Sequence, residues 1–294
     1  MNLDPSHQPK AAIVYLARST QKDLELLRRS LRLLERNITS HHDYPVLVFN
    51  EDFSPALQRE LQEITRSRLS FPRVDFSLPE FVDRSKVPEF VFGRFGVGYR
   101  HMCRFFSGTL FLHPAMQEFD WYMRMDTDSF VRGRVENDPF ARMEAEGADY
   151  GYITMQRESP EVVVGLWDTV SGYAAANNLQ TSALEAMTTA EGDWNLLYYY
   201  NNFEICRLSF ARSDAYQSFF NYLDRTEGIY RHRWGDAPIR TMAVALLLPP
   251  EKVLCFEDIA YSHSGFYTNE RHRLVDRIAC RLPRLLRENT LFPL

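Results

Sequence analysis

Ala11-Ala12-Ile13-Val14-Tyr15-Leu16-Ala17 is an apolar run of strand length, and Arg18-Ser19-Thr20 follows it with a hydroxyl placed to cap a helix. Leu24, Leu27, Leu31 and Leu34 then recur at helical spacing, so an amphipathic helix is predicted over 21–37. Pro45-Val46-Leu47-Val48-Phe49 reads as a second strand, 55–65 as a second helix and 69–76 as a third strand. This strand-helix alternation predicts an α/β fold, a Rossmann-like, mostly parallel sheet with helices on both faces. Binding sites in such sheets lie at the carboxyl ends of the strands. No G-x-G-x-x-G follows the first strand, and Gly93, Gly96 and Gly98 fall in a loop.

Further along, a helix starts near Tyr99 and ends near His113-Pro114. The strand over 120–125 runs straight into Asp126-Thr127-Asp128, and another strand is predicted over 150–155. Residues 157–195 are weakly patterned and suit a long insertion beside a cleft. An extended segment is predicted over 201–210. Ser213 caps a helix that ends before Gly228, and Asp236-Ala237-Pro238 opens the next, with proline suited to its first turn. A late strand over 253–259 leads to Tyr261-Ser262-His263. No linker divides the chain, so one domain over 1–294 is expected, with 1–10 as a flexible N-terminus.

Bulk properties narrow the function classes. The 294 residues, 45% hydrophobic and 25% charged, are enough for a large core with a cleft cut into it. A net charge of −5 with no basic block points away from nucleic acid. No stretch of 18 apolar residues and no signal-peptide h-region occurs, so no transmembrane segment is expected. Cys103, Cys206, Cys255 and Cys280 form no C-x-x-C pair, which argues against a zinc ribbon or a thioredoxin-type site and leaves their redox state open.

The chemistry-bearing residues cluster in four places. Two carboxylates spaced D-x-D at a strand end, Asp126 and Asp128, are able to share a divalent cation that bridges a diphosphate, although the same triplet is common as a solvated loop. His263 offers an imidazole suited to manganese, against the commoner role of a structural histidine. Glu204, within Asn201-Asn202-Phe203-Glu204-Ile205, is placed like a carboxylate facing a sugar, since glycosyl transfer passes through an oxocarbenium-like state; a surface glutamate is the alternative. In Arg231-His232-Arg233-Trp234-Gly235-Asp236, Trp234 is able to stack on a sugar or base and either arginine to bind phosphate, while Asp236 is also a natural helix cap.

Taken together, Tyr99-Arg100-His101-Met102-Cys103-Arg104-Phe105, Tyr122-Met123-Arg124-Met125-Asp126-Thr127-Asp128, Asn202-Phe203-Glu204-Ile205, Tyr222-Leu223-Asp224-Arg225-Thr226, Arg233-Trp234-Gly235-Asp236-Ala237-Pro238 and Phe256-Glu257-Asp258-Ile259 stand in the order seen in glycosyltransferase family 15. The chain resembles these fungal-type α-1,2-mannosyltransferases from its first strand to about residue 266. The resemblance implies a GT-A fold, GDP-mannose as donor, a mannoside or mannosylated glycan as acceptor, Mn2+ and retention of configuration. It implies that Asp126 and His263 hold the metal, with Asp128 helping directly or through water. Glu204 then matches the carboxylate proposed as nucleophile, and Tyr99, Arg124, Glu158 and Asp236 match the donor or acceptor cleft, to which the stacking chemistry of its ring adds Trp234.

There are departures from the family. Asp126-Thr127-Asp128 stands where fungal members have Glu-Pro-Asp, a difference of one methylene or about 1.5 Å. The family's membrane anchor and stem, and with them its Golgi-lumen address, have no counterpart in these residues. Residues 158–194 depart most, so acceptor identity transfers least. Retention through Glu204 by double displacement and same-face attack within an ion pair both remain open. So do a different nucleotide-sugar donor and a non-catalytic carbohydrate-binding role.

Overall fold

The computed structural model describes residues 8–268. In chain order these form β1 (Ala11–Leu16), α1 (Gln21–Leu34), β2 (Val46–Phe49), α2 (Pro55–Gln62), β3 (Leu69–Ser70), a small hairpin of β4 (Phe90–Val91) and β5 (Phe95–Gly96), and α3 (Val97–Arg104). There follow α4 (Leu110–Leu112), β6 (Trp121–Met125), β7 (Ser129–Val131), α5 (Pro139–Ala145), β8 (Tyr150–Tyr152), β9 (Met155–Arg157), α6 (Leu166–Ala176), α7 (Ser182–Ala186), β10 (Leu197–Tyr199) and β11 (Phe203–Arg207). The remainder is α8 (Leu208–Ala211), α9 (Asp214–Arg225), α10 (Gly228–His232), α11 (Asp236–Leu247), β12 (Val253–Cys255), β13 (Tyr261–His263) and β14 (Phe266–Tyr267).

The central sheet runs β12-β8-β11-β6-β1-β2-β3. β1 is parallel to β2 and to β6, β2 to β3, and β8 to β12, while β11 is antiparallel to both its neighbours. The expected α/β architecture is therefore present, with one reversed strand in its centre. Each strand buries alternate residues on opposite faces. Ala12 and Val14 join one core with Tyr122 and Cys206, and Ile13 and Tyr15 join the other with Met123 and Ile205. Hydroxyl caps set the helix starts: Thr20 Oγ1 accepts from the Asp23 amide at 3.3 Å, and Ser54 and Ser213 do the same for α2 and α9.

Several boundaries differ from the sequence expectation, each for a local reason. The strand expected over 69–76 stops at Ser70, because Pro72 cannot donate to the ladder; only an isolated bridge between Asn50 and Arg73 continues the pairing. The insertion holds two helices, α6 and α7, and closes with β9 pairing β10. The expected extended run over 201–210 ends at Arg207 and turns into α8. The strand expected over 253–259 divides: β12 edges the central sheet, and the chain then crosses to β13 in a side sheet, β14-β13-β7. Of the expected flexible N-terminus, residues 1–7 lie outside the described residues. Residues 8–10 are docked, with Pro9 buried and the Lys10 carbonyl accepting from the Asp120 amide at 2.7 Å.

Among the described residues no helix is long and apolar enough to cross a membrane. Cys103, Cys206 and Cys255 are free thiols, and Cys280 lies outside the described residues. Helix α3 passes through a π-helical turn (Phe105–Thr109) into α4, and Gly108 in that turn faces the Phe220 ring of α9. A Cβ at Gly108 would stand 2.3 Å from that ring. Gly108→Ala is therefore expected to cost about 1–3 kcal/mol by overpacking, read as a lower Tm with an unchanged fold. An unaltered Tm would contradict this packing.

Candidate active site

β6 delivers Asp126-Thr127-Asp128 into the turn before β7, at the carboxyl end of its strand. The turn is pinned by Ser129: its amide donates to the Asp126 carbonyl at 2.9 Å, and its hydroxyl accepts from the Asp126 amide at 3.1 Å. β7 pairs antiparallel with β13, and the register sets His263 opposite Ser129. The late chain thereby brings an imidazole to the carboxylates. His263 Nε2 lies 3.0 Å from Asp128 Oδ1 and 3.7 Å from Asp126 Oδ2. One ligand atom from each of the three lies within 4.8 Å of the others.

Hydrogen bonds orient these groups. Tyr200 Oη bonds His263 Nδ1 and so fixes the ring with Nε2 facing the carboxylates. Asn202 donates to Asp126 Oδ2, Arg124 Nε to Asp126 Oδ1 at 3.0 Å, and Ser264 Oγ to Asp128 Oδ2 at 2.9 Å. Partial burial works to raise the Asp128 carboxyl, but the hydrogen bond and charge of His263 outweigh it and hold the group below its ordinary value. Two carboxylates and one imidazole suit a manganese-like cation, and three ligands leave coordination positions for diphosphate oxygens.

Beside this cluster opens a cavity of about 300 Å³. Tyr99, Arg124, Glu158 and Asp236 all line it, as does Arg233. Arg124, buried at the end of β6, pairs through Nη1 with Asp236 and through Nε with Asp126. Asn201 Nδ2 adds a 2.9 Å bond to Asp236, which stands in the first turn of α11. Burial alone would raise the Asp236 carboxyl, but Arg124 and Asn201 hold it below its ordinary value. Arg233 Nη2 donates to Tyr99 Oη at 2.6 Å, and its Nη1 lies 3.4 Å from Glu158 Oε2. Its backbone is left-handed, with φ 66°, a strained conformation for an arginine. Arg231, the other candidate for phosphate, pairs instead with Glu227 at 2.6 Å and does not line the cavity.

Two sequence expectations are corrected here. Trp234 is 2% exposed, and its Nε1 donates to the Val164 carbonyl at 2.8 Å. Its ring covers Gly228, where a Cβ would approach to 2.4 Å, so the indole is a wedge in the core with no face for a sugar. Glu204 has no exposed surface. It points from β11 to the face covered by α11, where Arg240 Nε reaches it at 3.2 Å and the Tyr122 hydroxyl donates to it at 2.5 Å. It does not line the cavity, so the expected contact with an anomeric carbon is absent from this arrangement.

Tyr198, Tyr200, Asn201 and Asn202 also line the cavity and were not singled out as binding residues from sequence, whereas Arg233 was one of the two arginines considered for phosphate. The two asparagines form the turn that enters β11, and no local pattern distinguishes them from a loop pair. A wider groove of about 790 Å³ lies between α6 and α7. It carries one carboxylate, Glu185, and no histidine, whereas the carboxylate–imidazole cluster lies at the smaller cavity.

The sequence profile of the family described as "Glycolipid 2-alpha-mannosyltransferase" matches residues 1–285. Among curated proteins, Glycolipid 2-alpha-mannosyltransferase 2 of Candida albicans is 31% identical over 277 residues, covering 87% of this chain and 59% of that protein. Glycolipid 2-alpha-mannosyltransferase of Saccharomyces cerevisiae is 31% identical over 275 residues, covering 88% of this chain and 62% of that protein. The chain thus spans about three-fifths of the length of these two relatives. Among solved structures, Core-mannan synthase A from Aspergillus fumigatus, in its Mn/GDP form, superposes with a TM-score of 0.83 at 27% identity, over 91% of this chain and 78% of that one. The mannosyltransferase Ktr4p from S. cerevisiae gives 0.82 at 25% identity, over 89% and 72%.

Proposed function

The chain belongs to the glycolipid 2-alpha-mannosyltransferase family, glycosyltransferase family 15, and from that premise we propose that it is a retaining α-1,2-mannosyltransferase acting as one domain. It moves mannose from GDP-mannose to the 2-hydroxyl of a mannoside or mannosylated glycan. The observation that carries this reading is the meeting of Asp126, Asp128 and His263 at the rim of the cavity. The Mn/GDP form of the related Aspergillus structure supports manganese and a guanosine diphosphate leaving group.

Asp126 and His263 would hold the cation, with Asp128 beside them. When bound, a divalent cation neutralises charge on the departing diphosphate. Arg124 presents a cation at the same wall, and the Tyr99 hydroxyl, held by Arg233, presents a polar atom to the sugar. The C1–O bond to phosphate breaks, the bond from the acceptor 2-oxygen to C1 forms, and the acceptor proton leaves toward the departing diphosphate. Attack on the face that the diphosphate leaves keeps the α configuration. This route fits the cavity better than double displacement, because the two wall carboxylates outside the cation cluster, Asp236 and Glu158, are engaged by arginines. A carboxylate so engaged is a weakened nucleophile.

The test is a donor screen with the whole chain, manganese and methyl α-mannoside. Expected are transfer from GDP-mannose at least tenfold faster than from UDP-sugars, an α-1,2 linkage by methylation analysis, and an α product by NMR. A UDP-sugar preference would overturn the donor assignment. Binding of mannosides without turnover of any donor would favour a carbohydrate-binding role instead.

A further inference from the structure

Glu204 and Arg124 are register partners on neighbouring strands, so their side chains leave the sheet on the same face. Asp236 and Arg240 stand four residues apart on α11, one turn from each other on the helix face turned to that sheet. Two ion pairs of opposite polarity therefore join helix to sheet, one beside the other. Arg124 on the strand meets Asp236 on the helix, and Glu204 on the strand meets Arg240 on the helix. The first lines the cavity. The second lies beneath it with no exposed surface on either side chain.

The lower pair is fully bonded. Arg240 also donates to the Phe106 carbonyl at 2.8 Å and reaches the Tyr122 hydroxyl at 3.2 Å and the Tyr216 hydroxyl. Glu204 thus has a guanidinium on one oxygen and a phenol on the other. A carboxylate in that state has no exposed face for a sugar, and both of its oxygens are already engaged.

We propose that Glu204 is a positioning residue: with Arg240 it forms a buried rung that fixes α11 against β6 and β11, and so sets where Arg124 and Asp236 stand in the cavity. This assignment rests on the transferase reading above and deepens it. A single substitution at Glu204 harms the enzyme by leaving Arg240 buried without its counter-charge. Removing both charges relieves that defect. A nucleophile behaves differently, because nothing done to Arg240 replaces it.

The experiment compares Glu204→Ala, Glu204→Gln and the double variant Glu204→Gln/Arg240→Gln by kcat, donor KM, Tm, and product formed with added azide. The expected result is that Glu204→Gln, which keeps an oxygen for Tyr122, stays within about 100-fold of the wild-type kcat, well short of the roughly 10⁴- to 10⁶-fold lost with a nucleophile. Its donor KM is expected to rise as Arg124 shifts. The double variant should recover at least tenfold of what Glu204→Ala loses, and no variant should form mannosyl azide.

Overturning the proposal would take folded Glu204→Ala and Glu204→Gln variants with wild-type Tm and at least 10⁴-fold losses that the double variant does not repair. Azide attack at C1 with loss of GDP, giving the β-mannosyl azide in Glu204→Ala, would overturn it equally. If the wild type prefers another sugar donor, the same comparison is made with that donor. The role of Glu204 is then judged separately from donor identity.

Discussion

Asp126→Ala is expected to lower manganese-dependent mannosyl transfer by about 10²- to 10³-fold, the loss typical of removing one group that stabilises developing charge. Asp126 is the carboxylate that touches both the imidazole cluster and Arg124, so its loss removes a cation ligand and loosens the cavity wall. His263→Ala should match it, since the imidazole is the one nitrogen ligand in the set. Asp128→Ala should cost less, about 10- to 100-fold. Initial rates with GDP-mannose measure transfer, and titration of Mn2+ into each variant measures whether cation affinity falls in parallel. Chelation of the wild type should abolish transfer, and added Mn2+ should restore it. An Asp126→Ala enzyme within fivefold of the wild-type rate would remove that residue from the site.

Arg124→Met is expected to be the most damaging change for stability. It leaves Asp236, 5% exposed, without a counter-charge, a defect of about 3–5 kcal/mol. For a chain of this size that corresponds to a fall in Tm of roughly 6–20 °C. The pH dependence follows from Asp236. Its folded carboxyl lies below the ordinary 3.8, so in the wild type the stability that it contributes is complete above that value. It is lost as pH falls through the lower folded value. In the variant the buried carboxyl has no arginine to hold it down, and protonation relieves its burial. The Tm gap between wild type and variant should therefore be widest near pH 7 and narrow toward pH 4. A gap that is constant with pH would mean that the Arg124 side chain matters through packing alone.

How much of this was legible in the sequence depended on local pattern. The apolar runs of β1, β2 and β6 and the hydroxyl caps of α1 and α9 declare themselves within a few residues. The D-x-D turn was legible for the same reason. β7 and β13, three residues each, are too short for any periodicity, so the side sheet that carries His263 to the carboxylates had no signature. Glu204 shows the limit more sharply. Alternation gives the face to which a strand residue points, but not whether solvent or a helix waits there. The missing signal was Arg240, a charge within the largely apolar stretch Ile239–Leu248; a cation buried in a helix of that kind requires an anion. Trp234 misled because an aromatic beside a binding loop looks the same whether its ring is free or wedged over a glycine.

The side sheet has a consequence for biosynthesis. Asp128 and Ser264 are hydrogen-bonded across 136 positions of sequence. At the usual pace of translation, about 5–20 residues per second, roughly 7–27 s separate the emergence of one from the other. During that interval the nascent chain has its first strands and both aspartates but no imidazole opposite them. With Asp126, Asp128 and His263 as the proposed ligands, cation capture is expected among the last events of folding, and any polypeptide released before β13 has emerged lacks the proposed nitrogen ligand.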